Sequence, residues 1–483
     1  MNELTATDYL LAMPEIYLAS AICLVLLFDL FLAARHPGRT GVFSILVLLV
    51  GAVISRYFAP AESTLILNGL YIADPLASLL KVSTFLAGAI ALFYSRDYLR
   101  RKGLQKGEFY VLALSAMLGI LVLASAPNLL TVYVGVELLS LSLYALVAFD
   151  RDSGIGAEAA IKYFVLGAIA SGTLLYGMSL LYGITGTLDL GELAARLAPS
   201  AGGTAQLGAI LAVSFVVVAV AFKFGAVPFH MWVPDVYQGA PTTSTMLVAT
   251  APKIASFALA YRLLAEGLAP MTASWTQMLA ILAVLSVVAG NVIAIAQTSL
   301  LRMLAYSAIA NVGFILLGFV SGNAIGYSAA LLYTLAYVLM TLAAFGVVLL
   351  AGRDGCEADQ LDHYKGLHAR DPLLAGVMAA VMFSTAGVPP FIGFWAKLRI
   401  IEALLGSGHL ALAIVAVIAS VIGAFYYLRV VWLMYFEAPG ELPATVRNLL
   451  PRALLTLNVL LVLAMGLLPG GLLELCRLVI PGG

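Results

Sequence analysis

The sequence predicts an all-α polytopic membrane protein of about fourteen transmembrane helices, with two inverted five-helix repeats that each contain a broken helix. Three observations carry this reading. Only 10% of the 483 residues are charged and 63% are hydrophobic, with a mean hydropathy of +1.04, whereas a soluble domain carries about 25% charged residues. Fourteen apolar runs approach the roughly 20 residues needed to cross a bilayer. The motif Gly225-x-x-Pro228-Phe229 recurs as Gly387-x-x-Pro390-Phe391, with Trp232 and Trp395 a few residues downstream.

The predicted spans are 10–34, 41–61, 74–95, 108–126, 128–149, 160–183, 207–229, 242–265, 272–297, 303–320, 326–350, 372–404, 408–434 and 451–475. The acidic N-terminus lacks a basic stretch before its first apolar run, so that run reads as a retained helix. Lysine and arginine collect in loops that follow odd-numbered spans: Arg35 and Arg39 after the first, Arg96 to Lys106 after the third, Arg151 after the fifth, and Arg353, Lys365 and Arg370 after the eleventh. Positive loops stay inside, which places both termini outside and these loops in the cytoplasm. The expected divisions are an N-terminal three-helix segment at 1–107, repeats at 108–268 and 269–436, and a C-terminal helix at 437–483. A net charge of zero gives no sign of a nucleic-acid partner. Cys23, Cys356 and Cys476 show no metal or disulfide spacing.

The interruptions in the two long segments hold the chemistry. Pro228 cannot donate to the carbonyl of Phe224, and Pro252 likewise frees Val248; Pro389 and Pro390 free Thr385 and Ala386. Freed carbonyls accept bonds from water or an ammonium group. Interrupted helices at corresponding places in two halves mark a polar site near the bilayer midplane. Few ionisable residues lie within the spans: Glu137 in the fifth, Lys162 at the cytoplasmic start of the sixth, Lys223 in the seventh, Lys253 in the eighth and Lys397 in the twelfth. A charge at mid-bilayer costs roughly 2.5–3.5 kcal/mol on insertion scales, so such residues carry functional hypotheses. Lysine changes its proton readily when buried, whereas arginine does not. A Glu137–Lys223 pair beside the first break would therefore be a switchable proton site. His230, just past the break, suits a proton relay by its ordinary pKa near 6.5.

Simpler readings stand beside these. Lys162 serves equally as an interfacial lysine reaching the headgroups, and Lys81 and Arg262 read as snorkelling or packing residues. Trp232 and Trp395 read as interface or packing aromatics, Asp235 as a helix cap, and Glu137 also fits a structural ion pair.

The stretches KFGAVPFHMWVPDVYQGAPT, SLLRMLAYSAIANVGF (299–314) and FSTAGVPPFIGFWAKL (383–398) resemble, in order and separation, signatures of the antiporter-like proton-translocating subunits of respiratory complex I. The resemblance covers roughly residues 74–435. It implies two inverted five-helix bundles around a polar axis, with functional positions at Glu137, Lys162, Lys223, Lys253 and Lys397. It implies other membrane subunits as partners, including homologous antiporter-like ones. FMN, iron–sulfur clusters and quinone would be held by those partners, and no cofactor or metal by this chain. Some family members carry histidine in the span-ten motif. This chain has Ser307 to Asn311 there, so water or Tyr306 would supply the polar link. Two other functions remain open from the residues: a free-standing cation/proton antiporter, for which a lone central Glu137 offers few oxygen ligands, and a purely structural membrane scaffold.

Overall fold

The structure, a computed structural model, describes residues 5–33, 38–197, 204–352, 357–439 and 448–482. Arg35, Arg353 and Cys356 lie outside the described residues. Thirteen helices among them are long and apolar enough to cross a membrane. The predicted twelfth span is instead two 15-residue halves, Pro372–Ala386 and Ile392–Gly406. At 1.5 Å per residue neither half reaches across about 30 Å of hydrocarbon, so the pair together makes the fourteenth crossing. The spans are apolar on all sides, which suits helices between lipid and a packed interior. Spans eight and ten are almost wholly buried, while the first, thirteenth and last turn most of their surface outward.

The chain forms two compact units. One comprises residues 1–96, 104–224 and 251–278; the other comprises 97–103, 225–250 and 279–483. Two of the passages between them fall at Phe224/Gly225 and Thr250/Ala251. Both are helix interruptions. The helix Thr204–Phe224 stops before Gly225, whose φ is +81°. The next helix, Trp232–Gly239, begins seven residues later. Span eight is Thr242–Ala249 and Ala251–Ala260 hinged at Thr250, with φ −112° and ψ −90°. The break thus falls two residues before Pro252 and not at it.

Both units repeat a small device. In the first, Asn128 caps the helix Leu129–Val147, Leu129 N donates to Leu188 O, and Leu190 N donates to Pro127 O. In the second, Ser299 caps Leu300–Val320, Leu300 N donates to Asp359 O, and Leu361 N donates to Thr298 O. Each extended pair satisfies the backbone where a span meets the surface.

Within the second unit, the segment 97–103 is tied to the end of span eleven. Lys102 pairs with Glu357 at 3.0 Å, Tyr98 donates to the same carboxylate at 2.6 Å, and Arg101 donates to Leu349 O at 2.9 Å. The loops after spans three and eleven therefore lie on one side, as their shared parity predicts.

In the first unit, a two-stranded hairpin, Thr64–Ile66 with Tyr71–Ala73, joins spans two and three. Its three-residue strands are too short to stand out between long apolar runs. Tyr71 brings its hydroxyl to Glu15 at 2.9 Å and accepts from Lys81 at 2.5 Å. Lys81 also pairs with Glu15 at 2.8 Å and is buried, so it packs inside and does not snorkel. Arg262 is likewise buried and bridges Asp74 and Glu266, each at 2.7 Å. It also donates to the carbonyl of Ala124.

Candidate functional site

Each unit places buried or half-buried lysines at or beside its helix interruption, Lys223 and Lys253 in the first and Lys397 in the second. Lys253, buried in the second half of span eight, donates to the carbonyl of Phe224 at 2.7 Å. This is the carbonyl that Pro228 leaves without its helical partner. Lys397, buried in the second half of span twelve, donates to the carbonyl of Ala386 at 2.9 Å, the one freed by Pro390. It also reaches Ser420 Oγ at 3.0 Å. Phe224 and Ala386 each stand immediately before the glycine of the Gly-x-x-Pro-Phe motif. Gly225 and Gly387 have φ of +81° and +92°, and the peptide bonds Val227–Pro228 and Pro389–Pro390 are both cis. The two units thus meet one chemical demand by different routes. In the first, the lysine comes from the following helix; in the second, it comes from the far half of the broken helix itself.

Two close approaches hold the second break together. A Cβ on Gly387 would stand 2.9 Å from Lys397 Cδ, on top of its left-handed backbone. A Cβ on Gly393 would stand 1.8 Å from Ser384 O, so only glycine lets the two half-helices cross here. The backbone N–H of Gly393 donates to Ser384 Oγ at 3.3 Å. Gly387 N closes the first half-helix on Phe383 O and Ser384 O.

Lys223, half-buried on the last turn of Thr204–Phe224, donates to Ser140 Oγ at 2.6 Å. Its own carbonyl accepts from Ser256 Oγ at 3.0 Å. The expected direct pair with Glu137 is not formed: among the described residues no lysine nitrogen lies within 4.0 Å of the Glu137 carboxylate. Ser140 is one helical turn beyond Glu137 and takes the ammonium instead. One of the Glu137 carboxylate oxygens is buried with no hydrogen-bond partner.

Lys162 lies away from this cluster, on the outer face of Gly154–Thr185, paired with Glu158 at 2.8 Å. The helix starts six residues before the predicted span. His230 is half-buried in the turn after the first break; its carbonyl accepts from Val233 N, its ring faces Tyr306 at 6.5 Å, and its Nδ1 is buried without a partner. Asp235 does not cap a helix. It sits in the first turn of Trp232–Gly239, after Met231 at the cap position, and pairs with Arg302 at 3.3 Å. Trp232 is buried, and Trp395 donates its indole N–H to Gly466 O at 2.9 Å. The serines that hold the lysines, Ser140, Ser256 and Ser420, were not singled out in the sequence. Ser140 and Ser256 carried a signal there, each sharing a helix face with a residue of interest, Glu137 and Lys253 respectively.

Buried lysines on freed carbonyls at paired helix breaks define a polytopic ion-translocating membrane subunit of the antiporter-like kind. Residues 126–423 match the transmembrane family described as NADH:quinone oxidoreductase/Mrp antiporter. The chain is 50% identical over 468 residues to NADH-quinone oxidoreductase subunit N of Thiobacillus denitrificans, covering 96% of each, and 50% identical over 476 residues to that of Herminiimonas arsenicoxydans, again covering 96% of each. Its fold matches a chain of respiratory complex I from Thermus thermophilus with a TM-score of 0.82 at 33% identity, covering 96% of this chain and 99% of that one. A chain of the archaeal membrane-bound sulfane sulfur reductase matches at TM-score 0.84 and 25% identity, covering 98% and 96%. The protein belongs to the NADH:quinone oxidoreductase/Mrp antiporter transmembrane family, in its subunit N branch.

Proposed function

We propose that this chain is a proton-translocating membrane subunit of NADH–quinone oxidoreductase, and that Glu137, Lys223, Lys253 and Lys397 are its proton stations. Electron transfer from NADH to quinone runs in other subunits, which hold FMN, iron–sulfur clusters and quinone, while this chain moves protons across the inner membrane. Both termini lie outside and the basic loops in the cytoplasm, following the arginine and lysine distribution.

The observation that carries the reading is the pair of ammonium–carbonyl contacts, Lys253 on Phe224 O and Lys397 on Ala386 O. A lysine is costly in a dry span. A carbonyl without its N–H is costly too. Bringing them together offsets both costs while the lysine is charged. When the lysine gives up its proton, the carbonyl can keep a bond to the remaining amine N–H or take one from water. The contact therefore tolerates either protonation state, which a carboxylate ion pair would not. Lys223 on Ser140 has the same latitude, and its separation from Glu137 gives a position whose proton affinity depends on whether the two close up. His230 and Lys162 are candidate entry positions, being half-buried and exposed respectively.

Lys223→Ala in the assembled complex, reconstituted in vesicles, tests the reading. Protons moved per electron fall, while quinone reduction by detergent-solubilised complex continues. A wild-type ratio removes Lys223 from the pathway.

A further inference from the structure

On the side opposite its basic loop, the second unit holds a cavity of about 540 Å³, within the range of about 300–1,000 Å³ common for ligand sites. It lies between the first turns of span eleven, the second half of span twelve and a short terminal helix, Gly470–Leu478, that follows span fourteen. The three meet because span eleven starts on the side where spans twelve and fourteen end. Two arginines and two glutamates line the cavity: Arg399 and Glu402 on span twelve, Glu474 and Arg477 on the terminal helix. Ile325, Leu332 and Leu473 supply apolar wall. None of the proposed proton stations lines it.

From Ile325 to Leu332 the wall runs about 10 Å along span eleven at 1.5 Å per residue. The polar layer of one bilayer leaflet is only about 5–7 Å thick, so the cavity passes from headgroup depth into hydrocarbon. Ile325, Leu475 and Leu478 stay exposed around it. A water-soluble ligand would leave the apolar depth empty, and an acyl chain alone would leave the charges unanswered. Those charges are incompletely paired. Arg399 donates to Glu402 at 2.8 Å, but its Nε is buried with no hydrogen-bond partner. Among the described residues, neither Glu474 nor Arg477 has an ion pair. With two charges of each sign, the cavity is neutral. An anionic headgroup would add an uncompensated charge in low-dielectric surroundings, whereas a zwitterionic one brings one of each sign. A phosphate takes paired N–H bonds from arginine. A primary ammonium offers three donors to carboxylates, and a quaternary ammonium offers none.

We propose that this cavity binds one zwitterionic phospholipid with a primary-ammonium headgroup, phosphatidylethanolamine. Its phosphate goes to Arg477 and the unmet Arg399 Nε, its ammonium to Glu474, and an acyl chain runs along Ile325 and Leu332. Glu402 keeps its bond to Arg399. The lipid completes the pairing of all four charges and fills the gap between the terminal helix and the two spans.

The test uses phosphatidylethanolamine carrying a photoactivatable diazirine on one acyl chain, added to the assembled complex in detergent, with labelled peptides read by mass spectrometry. Label is expected on the peptides spanning 324–332 and 467–478. Unlabelled phosphatidylethanolamine should displace it about tenfold more effectively than phosphatidylcholine, the worth of one hydrogen bond to a charged group. Glu474→Gln should erase that preference, and Arg477→Gln should lower the labelling about tenfold. Equal displacement by the two lipids overturns headgroup recognition and leaves ordinary lipid contact. Stronger displacement by phosphatidylglycerol marks an anion site and overturns the zwitterion. Absence of label on these peptides, with label elsewhere on the complex, shows the cavity covered by a neighbouring subunit and overturns the proposal outright. If either variant fails to assemble, the displacement series in the unmodified complex decides alone.

Discussion

Replacing Lys253 with methionine separates a structural role from a proton-carrying one. The side chain keeps its length and apolar stem but loses the ammonium that sits 2.7 Å from Phe224 O. Two contributions oppose each other. Removing a charge from within a span relieves about 2.5–3.5 kcal/mol on insertion scales. Losing a bond from a charged donor forfeits about 1.5–3 kcal/mol, and the abandoned carbonyl stays buried. The balance runs from about 0.5 kcal/mol unfavourable to about 2 kcal/mol favourable, so Lys253→Met should fold and assemble almost normally. Its effect should appear in transport instead. The assay is NADH-driven proton uptake by vesicles carrying the assembled complex, set against NADH oxidation in the same preparation. The protons moved per electron should drop, with subunit content unchanged. An assembled variant that pumps at the wild-type ratio would show that the contact only satisfies a carbonyl, and the station reading of Lys253 would fall. Loss of the subunit would show that the balance of energies is wrong.

Three further outcomes follow from packing. Arg262→Met leaves Asp74 and Glu266 without their buried partner; breaking such a cluster costs about 3–5 kcal/mol, so the detergent-solubilised complex should lose this subunit at lower temperature, which a thermal shift series with gel analysis reads. Gly393→Ala places a Cβ 1.8 Å from Ser384 O and should prevent the half-helices from crossing, abolishing assembly, whereas Gly172→Ala, with nothing within 4 Å of the new methyl, should assemble normally; equal assembly of the two would refute the close approach. Trp395→Phe removes the 2.9 Å bond to Gly466 O and should cost about 1 kcal/mol, seen as a small drop in thermal stability without loss of pumping.

Much of this protein could be read before any coordinates. The membrane class, fourteen crossings and the two interrupted segments follow from hydropathy and proline, because lipid forces backbone groups into helices and proline removes a donor wherever it falls. The sequence also indicated which carbonyls would be freed, and Phe224 and Ala386 are indeed those that the lysines occupy. The assignment of lysine to carbonyl was a different matter. Lys223 stands two residues from the first break yet binds Ser140, while Lys253, thirty residues farther along, takes the Phe224 carbonyl. Glu137 and Lys223 looked like partners because each was a central charge, but the Lys223 ammonium goes to Ser140, three residues beyond Glu137 on the same helix. The hinge at Thr250 left no local pattern to find. Proline, charge and apolar length act within a few residues and are visible in order along the chain. Which side chains share a cavity depends on how distant helices turn about their axes as they pack, and only the tertiary structure decided that.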